Sequence, residues 1–345
     1  MFRKTVEAME SYVPGEQPRD RRYVKLNTNE NPYPPSPQVL EALRDGIGEN
    51  LRLYPRPMAD ELRERAARLY RLEPDNVLVG NGSDELLAIV MRAVIDPGDA
   101  VAYPVPTYSL YDTLVSIHCG VAVHVPFPPD FSLPAELADV DARLIIVCNP
   151  NSPSGTLIAP QHLGPLFRRR DRLVVVDEAY VDFADAHCLE LLHELPNLVI
   201  LRTLSKSYSL AGMRIGLALG ATGVIGQLAK VKDSYNVNRL SIVAGAAALR
   251  DPRWMEANVR RVRRTREALT RRLGELGFEV PPSQANFVLA RRPGQDLEPL
   301  YEGLKRRGVL VRYFATPELR DALRITVGTD DEIGLLVRVL DQLVS

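Results

Sequence analysis

The chain has 345 residues and carries 43 Lys plus Arg against 44 Asp plus Glu, for a net charge of −1. That length can bury a sizeable core in two or three domains, and the balanced charge excludes a general field for nucleic acid or an anionic membrane. Three scattered cysteines without a CxxC pair exclude a disulfide framework and a thiolate metal site, so a reducing cytoplasm is expected. Residues 1–13 mix Arg3, Lys4, Glu7 and Glu10 and lack the apolar centre of a signal peptide. No apolar run reaches the ~18 residues that span a bilayer. Residues 1–35, rich in Pro, Asn and Glu, read as an extended arm.

Short apolar runs then alternate with helical patterns. Strands are expected at 77–79, 100–103, 121–125, 144–148, 173–176, 198–201 and 215–219, with helices at 84–95, 107–115 and 160–168. Apolar strands separated by helices predict an α/β fold. Its large domain, 36–248, is a three-layer α/β/α unit with a mainly parallel sheet. Active sites in such folds lie beyond the carboxyl ends of the strands. From 249 to 345 the pattern becomes a long charged helix at 253–276, strands at 286–290, 309–312 and 323–327, and helices at 297–307 and 330–343. These make a smaller α+β domain. The basic clusters at 168–170 and 260–266 sit among acids and read as solvated helix faces.

Only six of the 43 basic residues are lysines, so a lysine inside the chain calls for a chemical explanation. Lys206 follows a strand and lies among hydroxyls in Thr203-Leu204-Ser205-Lys206-Ser207. A lysine whose pKa is lowered can form a Schiff base, which arginine cannot. Asp177-Glu178 ends the run Leu173-Val174-Val175-Val176. Such a pair serves Mg²⁺ in a P-loop ATPase, a pyridinium nitrogen in a pyridoxal 5′-phosphate (PLP) enzyme, or merely a helix cap. The ATPase also needs GxxxxGK[ST], and no lysine here follows a glycine. Arg214, in Ala211-Gly212-Met213-Arg214, suits a phosphate, as does the turn Gly80-Asn81-Gly82-Ser83-Asp84 between a strand and a helix. The turn fails as a dinucleotide fingerprint because its third glycine position is Glu85. Together these residues describe a site for a phosphorylated aldehyde. Tyr108 can stack on a ring, Tyr111 does so or packs in the core, and Tyr180 is within reach of a phenolate three residues past Asp177. No HExxH or GxSxG occurs, which argues against metal and serine-hydrolase chemistry.

Asn149-Pro150-Asn151-Ser152-Pro153-Ser154-Gly155, Asp177-Glu178-Ala179-Tyr180, Ser205-Lys206 and Arg214 resemble, in order and spacing, the fold type I PLP aminotransferases. Leu26-Asn27-Thr28-Asn29-Glu30-Asn31-Pro32-Tyr33, Leu53-Tyr54-Pro55, Tyr235-Asn236-Val237-Asn238 and the segments around Arg312 and Arg324 narrow the likeness to the histidinol-phosphate aminotransferase family, over nearly the whole chain. The resemblance implies that Lys206 carries PLP, Asp177 pairs with its ring nitrogen, Tyr180 and Ser152 face its 3′-oxygen and Tyr108 stacks on the ring. Gly82, Ser83, Asp84, Ser205 and Arg214 would hold its phosphate, with Tyr54 arriving from the second subunit of a homodimer. Arg324 would take the substrate α-carboxylate, Arg312 the phosphate of histidinol phosphate, and Asn31 would lie beside the substrate. The implied reaction exchanges an amino group between histidinol phosphate and 2-oxoglutarate. An aromatic amino-acid aminotransferase and a phospho-amino-acid decarboxylase of the same fold are the alternatives. Ser152 stands where the family usually has Asn, and Asn151 is the nearest replacement donor.

Overall fold

Hydrophobic runs too short for helices become the strands of a central sheet. The computed structural model describes residues 1–9, 15–18 and 20–344. Residues 10–14 of the expected arm, Glu10 among them, lie outside the described residues, as do Arg19 and Ser345. In chain order the strands are β1 (Val24–Lys25), β2 (Val77–Gly80), β3 (Ala100–Val105), β4 (Val121–Pro126), β5 (Leu144–Cys148) and β6 (Leu173–Asp177). Then follow β7 (Leu198–Thr203), β8 (Gly216–Gly220), β9 (Phe287–Arg291), β10 (Val309–Leu310), β11 (Arg312–Tyr313) and β12 (Ala322–Thr326). The α-helices are α1 (Lys4–Ala8), α2 (Pro37–Gly46), α3 (Asp60–Tyr70), α4 (Ser83–Val94), α5 (Leu110–Ile117), α6 (Thr222–Lys230), α7 (Arg239–Arg250), α8 (Pro252–Glu275), α9 (Glu298–Arg306) and α10 (Asp330–Val344).

Seven strands pair in the order β2-β8-β7-β6-β5-β3-β4, and only β8 runs antiparallel to its neighbours. Side chains alternate across this sheet with period two. Ile145, Val147, Val174, Val176 and Ile200 pack under α3 and α7, whereas Leu144, Ile146, Val175, Val199 and Leu201 pack under α4, α5 and α6. The fold is therefore a three-layer α/β/α unit on a mainly parallel sheet, with a smaller α+β unit after it. There β11-β12-β9 form an antiparallel sheet. Val288, Ala290, Leu323 and Ile325 on its one face meet α8, α9 and α10. Arg312, Arg324, Phe287 and Leu289 occupy the alternate positions and face the other way.

Four expectations differ locally. The arm is not wholly extended: it holds α1, and β1 pairs in parallel with β10. The helix expected at 107–115 begins only at Leu110, since Thr107 and Tyr108 form the turn after β3. The segment 160–168 is a 3₁₀ helix, Pro160–Phe167, with Pro165 inside it, where a proline is poorly tolerated in an α-helix. The strand at 309–312 divides at Val311, where the chain leaves β1 and joins β12. No helix among the described residues is long and apolar enough to cross a membrane.

Candidate active site

The carboxyl ends of β2, β5, β6 and β7 lie at one edge of the sheet, together with the amino end of the reversed strand β8. That edge brings Ser83, Asp177, Lys206 and Arg214 to one cavity of about 1050 Å³, closed above by Arg312 and Arg324.

Lys206 follows β7 and points its Nζ to within 3.4 Å of the Thr28 carbonyl and 5.6 Å of the Tyr180 ring centre. Burial, reinforced by the positive charge of Arg324, lowers its pKa to about 8. An amine so placed loses its proton near neutral pH. Asp177 ends β6 and is only 2% exposed. Tyr111 donates to its Oδ2 at 2.8 Å and the Ala179 amide to its Oδ1 at 3.2 Å. Burial outweighs both bonds and raises the pKa to about 6. Tyr180, raised to about 12 by burial, accepts at its hydroxyl from Asn29 Nδ2 at 3.0 Å.

A phosphate cradle lies between α4 and the turn before β8. No side chain caps the α4 N-terminus, so its first amides and its dipole face the cavity. Arg214, itself at φ 52°, aims its guanidinium at the same place, with Nη2 3.0 Å from Asp84 Oδ2 and Nη1 3.5 Å from Ser205 Oγ. Two glycines make room. A Cβ on Gly82, which sits at φ +91°, would lie 2.6 Å from Arg214 Nη2, and one on Gly216 would lie 2.5 Å from the Gly82 carbonyl carbon. Tyr108 donates to Asp84 Oδ1 at 3.2 Å, which fixes its ring over the same end of the cavity. A lysine of lowered pKa, a buried carboxylate, an aromatic wall and an anion cradle fit a phosphorylated pyridine aldehyde in the chemistry of every donor.

On the opposite wall Arg312 and Arg324 are direct cross-strand partners. Like charges so placed repel unless anions meet them. Arg324 donates to Ser152 Oγ at 3.1 Å and to the Asn27 carbonyl at 3.0 Å, and its guanidinium lies 5.3 Å from the Phe287 ring centre. Ser152 thus accepts from Arg324 and retains its hydroxyl proton as a donor. Asn151 does not replace the missing Asn. Its amide is bound to Pro106 O, in the loop after β3, at 3.2 Å and to Ser154 Oγ at 2.9 Å, and its Oδ1 accepts from Thr107.

Two expected site residues do not line the cavity of their own chain, as the expected second-subunit role of Tyr54 requires of that residue. Asn31 does not line the cavity, because its Nδ2 donates to the carbonyls of Lys206 and Ser207, at 3.1 Å each. It holds the lysine loop. Tyr54 stands outside the cavity of its own chain, stacked on Tyr235 at 4.5 Å and 78% exposed. The sequence reading missed the support around the site. Arg202 pairs with Glu178 at 2.8 Å, Ser207 donates to Asp182, and Asn29 joins Tyr180 to Thr326. The one available signal was an unpaired-looking Arg in the apolar strand β7, beside the acid that follows β6.

Fold and site together define an aminotransferase. The family described as aminotransferase class I and II matches residues 21–340. Histidinol-phosphate aminotransferase 1 of Trichormus variabilis is 46% identical over 344 residues, covering 99% of this chain and 98% of that protein. The histidinol-phosphate aminotransferase of Rhodopirellula baltica is 41% identical, covering 99% and 95%. The crystal structure of the Sinorhizobium meliloti histidinol-phosphate aminotransferase in complex with pyridoxal-5′-phosphate superposes with a TM-score of 0.91 at 27% identity, over 99% of this chain and 97% of that one. The chain belongs to the aminotransferase class I and II family and, within it, to the histidinol-phosphate aminotransferases.

Proposed function

We propose that the chain is a PLP-dependent enzyme of histidine biosynthesis, moving an amino group from glutamate to imidazole-acetol phosphate and, in reverse, from histidinol phosphate to 2-oxoglutarate. The observation that carries the substrate reading is the opposed pair Arg312 and Arg324, facing the cavity that also holds Lys206 and Asp177. Histidinol phosphate and its ketone bring a phosphate to that wall, and glutamate brings two carboxylates.

When bound, PLP supplies an electron sink for the charge left when the substrate Cα loses its proton. Lys206 would carry it, with Gly82, Ser83, Asp84, Ser205 and Arg214 around its phosphate. Tyr108 would lie on its ring, and Tyr180 and Ser152 would face its 3′-oxygen. Asp177 would hold a proton at the ring nitrogen by its charge. The Lys206 amine, of lowered pKa, would take the substrate Cα proton and hold it at Nζ. Arg324 clamps the α-carboxylate of glutamate, and Arg312 receives the substrate phosphate in a bidentate pair.

The same reading divides the chain into an arm (1–35), a cofactor domain (36–248) and a small domain (249–345), and places the enzyme in the cytoplasm. It also makes the enzyme a homodimer, with Tyr54 of one copy completing the phosphate cradle of the other. Exposed Ile47, Leu51, Leu53, Tyr54 and Tyr235 on one region of the surface support that pairing. A screen of histidinol phosphate, phenylalanine, tyrosine and phosphothreonine as substrates of the purified enzyme tests the proposal. Histidinol phosphate should give by far the highest kcat/KM, and preference for either aromatic amino acid or release of CO₂ from phosphothreonine would reject it.

A further inference from the structure

Asp177 is held from the side away from the cavity, and what holds it is a hydroxyl that packing alone does not require. Tyr111 lies on α5, one turn past the wall residue Tyr108, and is fully buried against Tyr103 and Tyr108. A phenylalanine would fill that space. The hydroxyl instead donates to Asp177 Oδ2 at 2.8 Å. Burial and the adjacent carboxylate push the Tyr111 pKa well up, so it stays a donor at every working pH.

We propose that Tyr111 is a positioning residue for Asp177, keeping its carboxylate ionised and oriented toward the ring nitrogen of the cofactor. This rests on the PLP reading above. The remaining charged and titratable groups about Asp177 are Cys148, its register partner on β5, Asp84 on α4, Glu178 beside it, and Lys206, Arg214 and Tyr180 on the cavity side. Burial raises the Asp177 pKa most, and Asp84 and Glu178 raise it further. The Tyr111 hydroxyl and the Ala179 amide lower it, and they are its two hydrogen-bond donors among the described residues. A carboxylate that starts at about 6 has little margin at neutral pH. Removing one of two donors raises the pKa, since the bond stabilises the charged form.

The test is Tyr111→Phe, read as the affinity of cofactor-free protein for PLP between pH 5.5 and 8.5 by fluorescence quenching. A hydrogen bond to a charged acceptor corresponds to about one pH unit or more. The acidic limb of the affinity should therefore move up by about one unit, a loss of roughly fivefold near pH 6 with little change at pH 8.5. In an Asp177→Asn background the same substitution should leave the pH profile unmoved. A limb in the wild-type place, or an equal loss at every pH in both backgrounds, overturns the proposal. Failure of wild type to bind PLP at all would instead reject the cofactor reading. Should Tyr111→Phe not fold, infrared difference spectra of wild type against Asp177→Asn remain decisive. The Asp177 carboxylate band should appear near pH 6, and its appearance only above about pH 7 overturns the proposal.

Discussion

At the scale of the residue, Lys206 and Asp177 are both moved toward neutrality by the same burial, in opposite directions. For Lys206 the consequence is a nucleophile present at working pH. Covalent uptake of PLP, trapped with borohydride, should rise with a midpoint near pH 8, and Arg324→Gln should move that midpoint upward by removing a nearby positive charge. An unchanged midpoint in the variant would detach Arg324 from the lysine. For Asp177 the folded pKa of about 6 exceeds the ordinary 3.8, so the native state binds the proton more tightly than the unfolded one. Stability contributed by this group is lost as pH rises from about 4 through about 6 and stays lost above it, by roughly 3 kcal/mol. Cofactor-free Asp177→Asn should therefore melt higher than wild type at pH 7.5, with the gap closing toward pH 4.5. The same variant should lose most transamination, because an amide cannot hold the ring proton by charge. Both residues are legible in the sequence, one as a rare lysine after a strand and the other as the end of an apolar run. Tyr111 and Asn29 are not, since each acts on a partner 66 and 151 residues away and no local pattern marks it.

At the scale of the element, the phosphate cradle depends on close approach between the turn after β2 and the start of β8. Gly216→Ala would drive a methyl into the Gly82 backbone, and Gly82→Ala would combine a positive φ with contact to Arg214. Gly82→Ala should weaken PLP binding at least ~10-fold, reflecting ~1–2 kcal/mol of backbone strain plus displacement of Arg214, as read by titration of cofactor-free enzyme. Binding within twofold of wild type would show that the cradle tolerates movement. On the small sheet, Arg312→Ala should raise KM for histidinol phosphate much more than for glutamate if, as proposed, the phosphate is its bidentate partner. Equal effects would make Arg312 structural. Strands were readable here because buried parallel runs are apolar on both faces. Element ends were not, as prolines decide them: Pro104 in β3 has no amide, and the β3–β5 ladder is already finished at Ala102 while β4 pairs on to Val105. The helix α7 left no strong trace because four of its apolar residues are alanines, spread around the helix.

At the scale of the molecule, the arm is what joins the two units. Asn29 accepts from Thr326 and donates to Tyr180, while Asn27 offers its carbonyl to Arg324. Arg324 is thereby bonded to the same arm that contacts both units. Tyr54 and Tyr235 lie stacked and exposed on the outer face. Tyr54→Ala should weaken PLP binding in a protein that stays dimeric by analytical ultracentrifugation, and a fully active monomer at micromolar concentration would reject the shared site. The claim on which the rest depends is that Lys206 carries the cofactor. Borohydride reduction of the PLP-loaded protein followed by peptide mapping tests it directly. The account predicts one modified peptide, bearing Lys206, and none in Lys206→Ala; a label on any of the other five lysines, or no stable label at all, would contradict it.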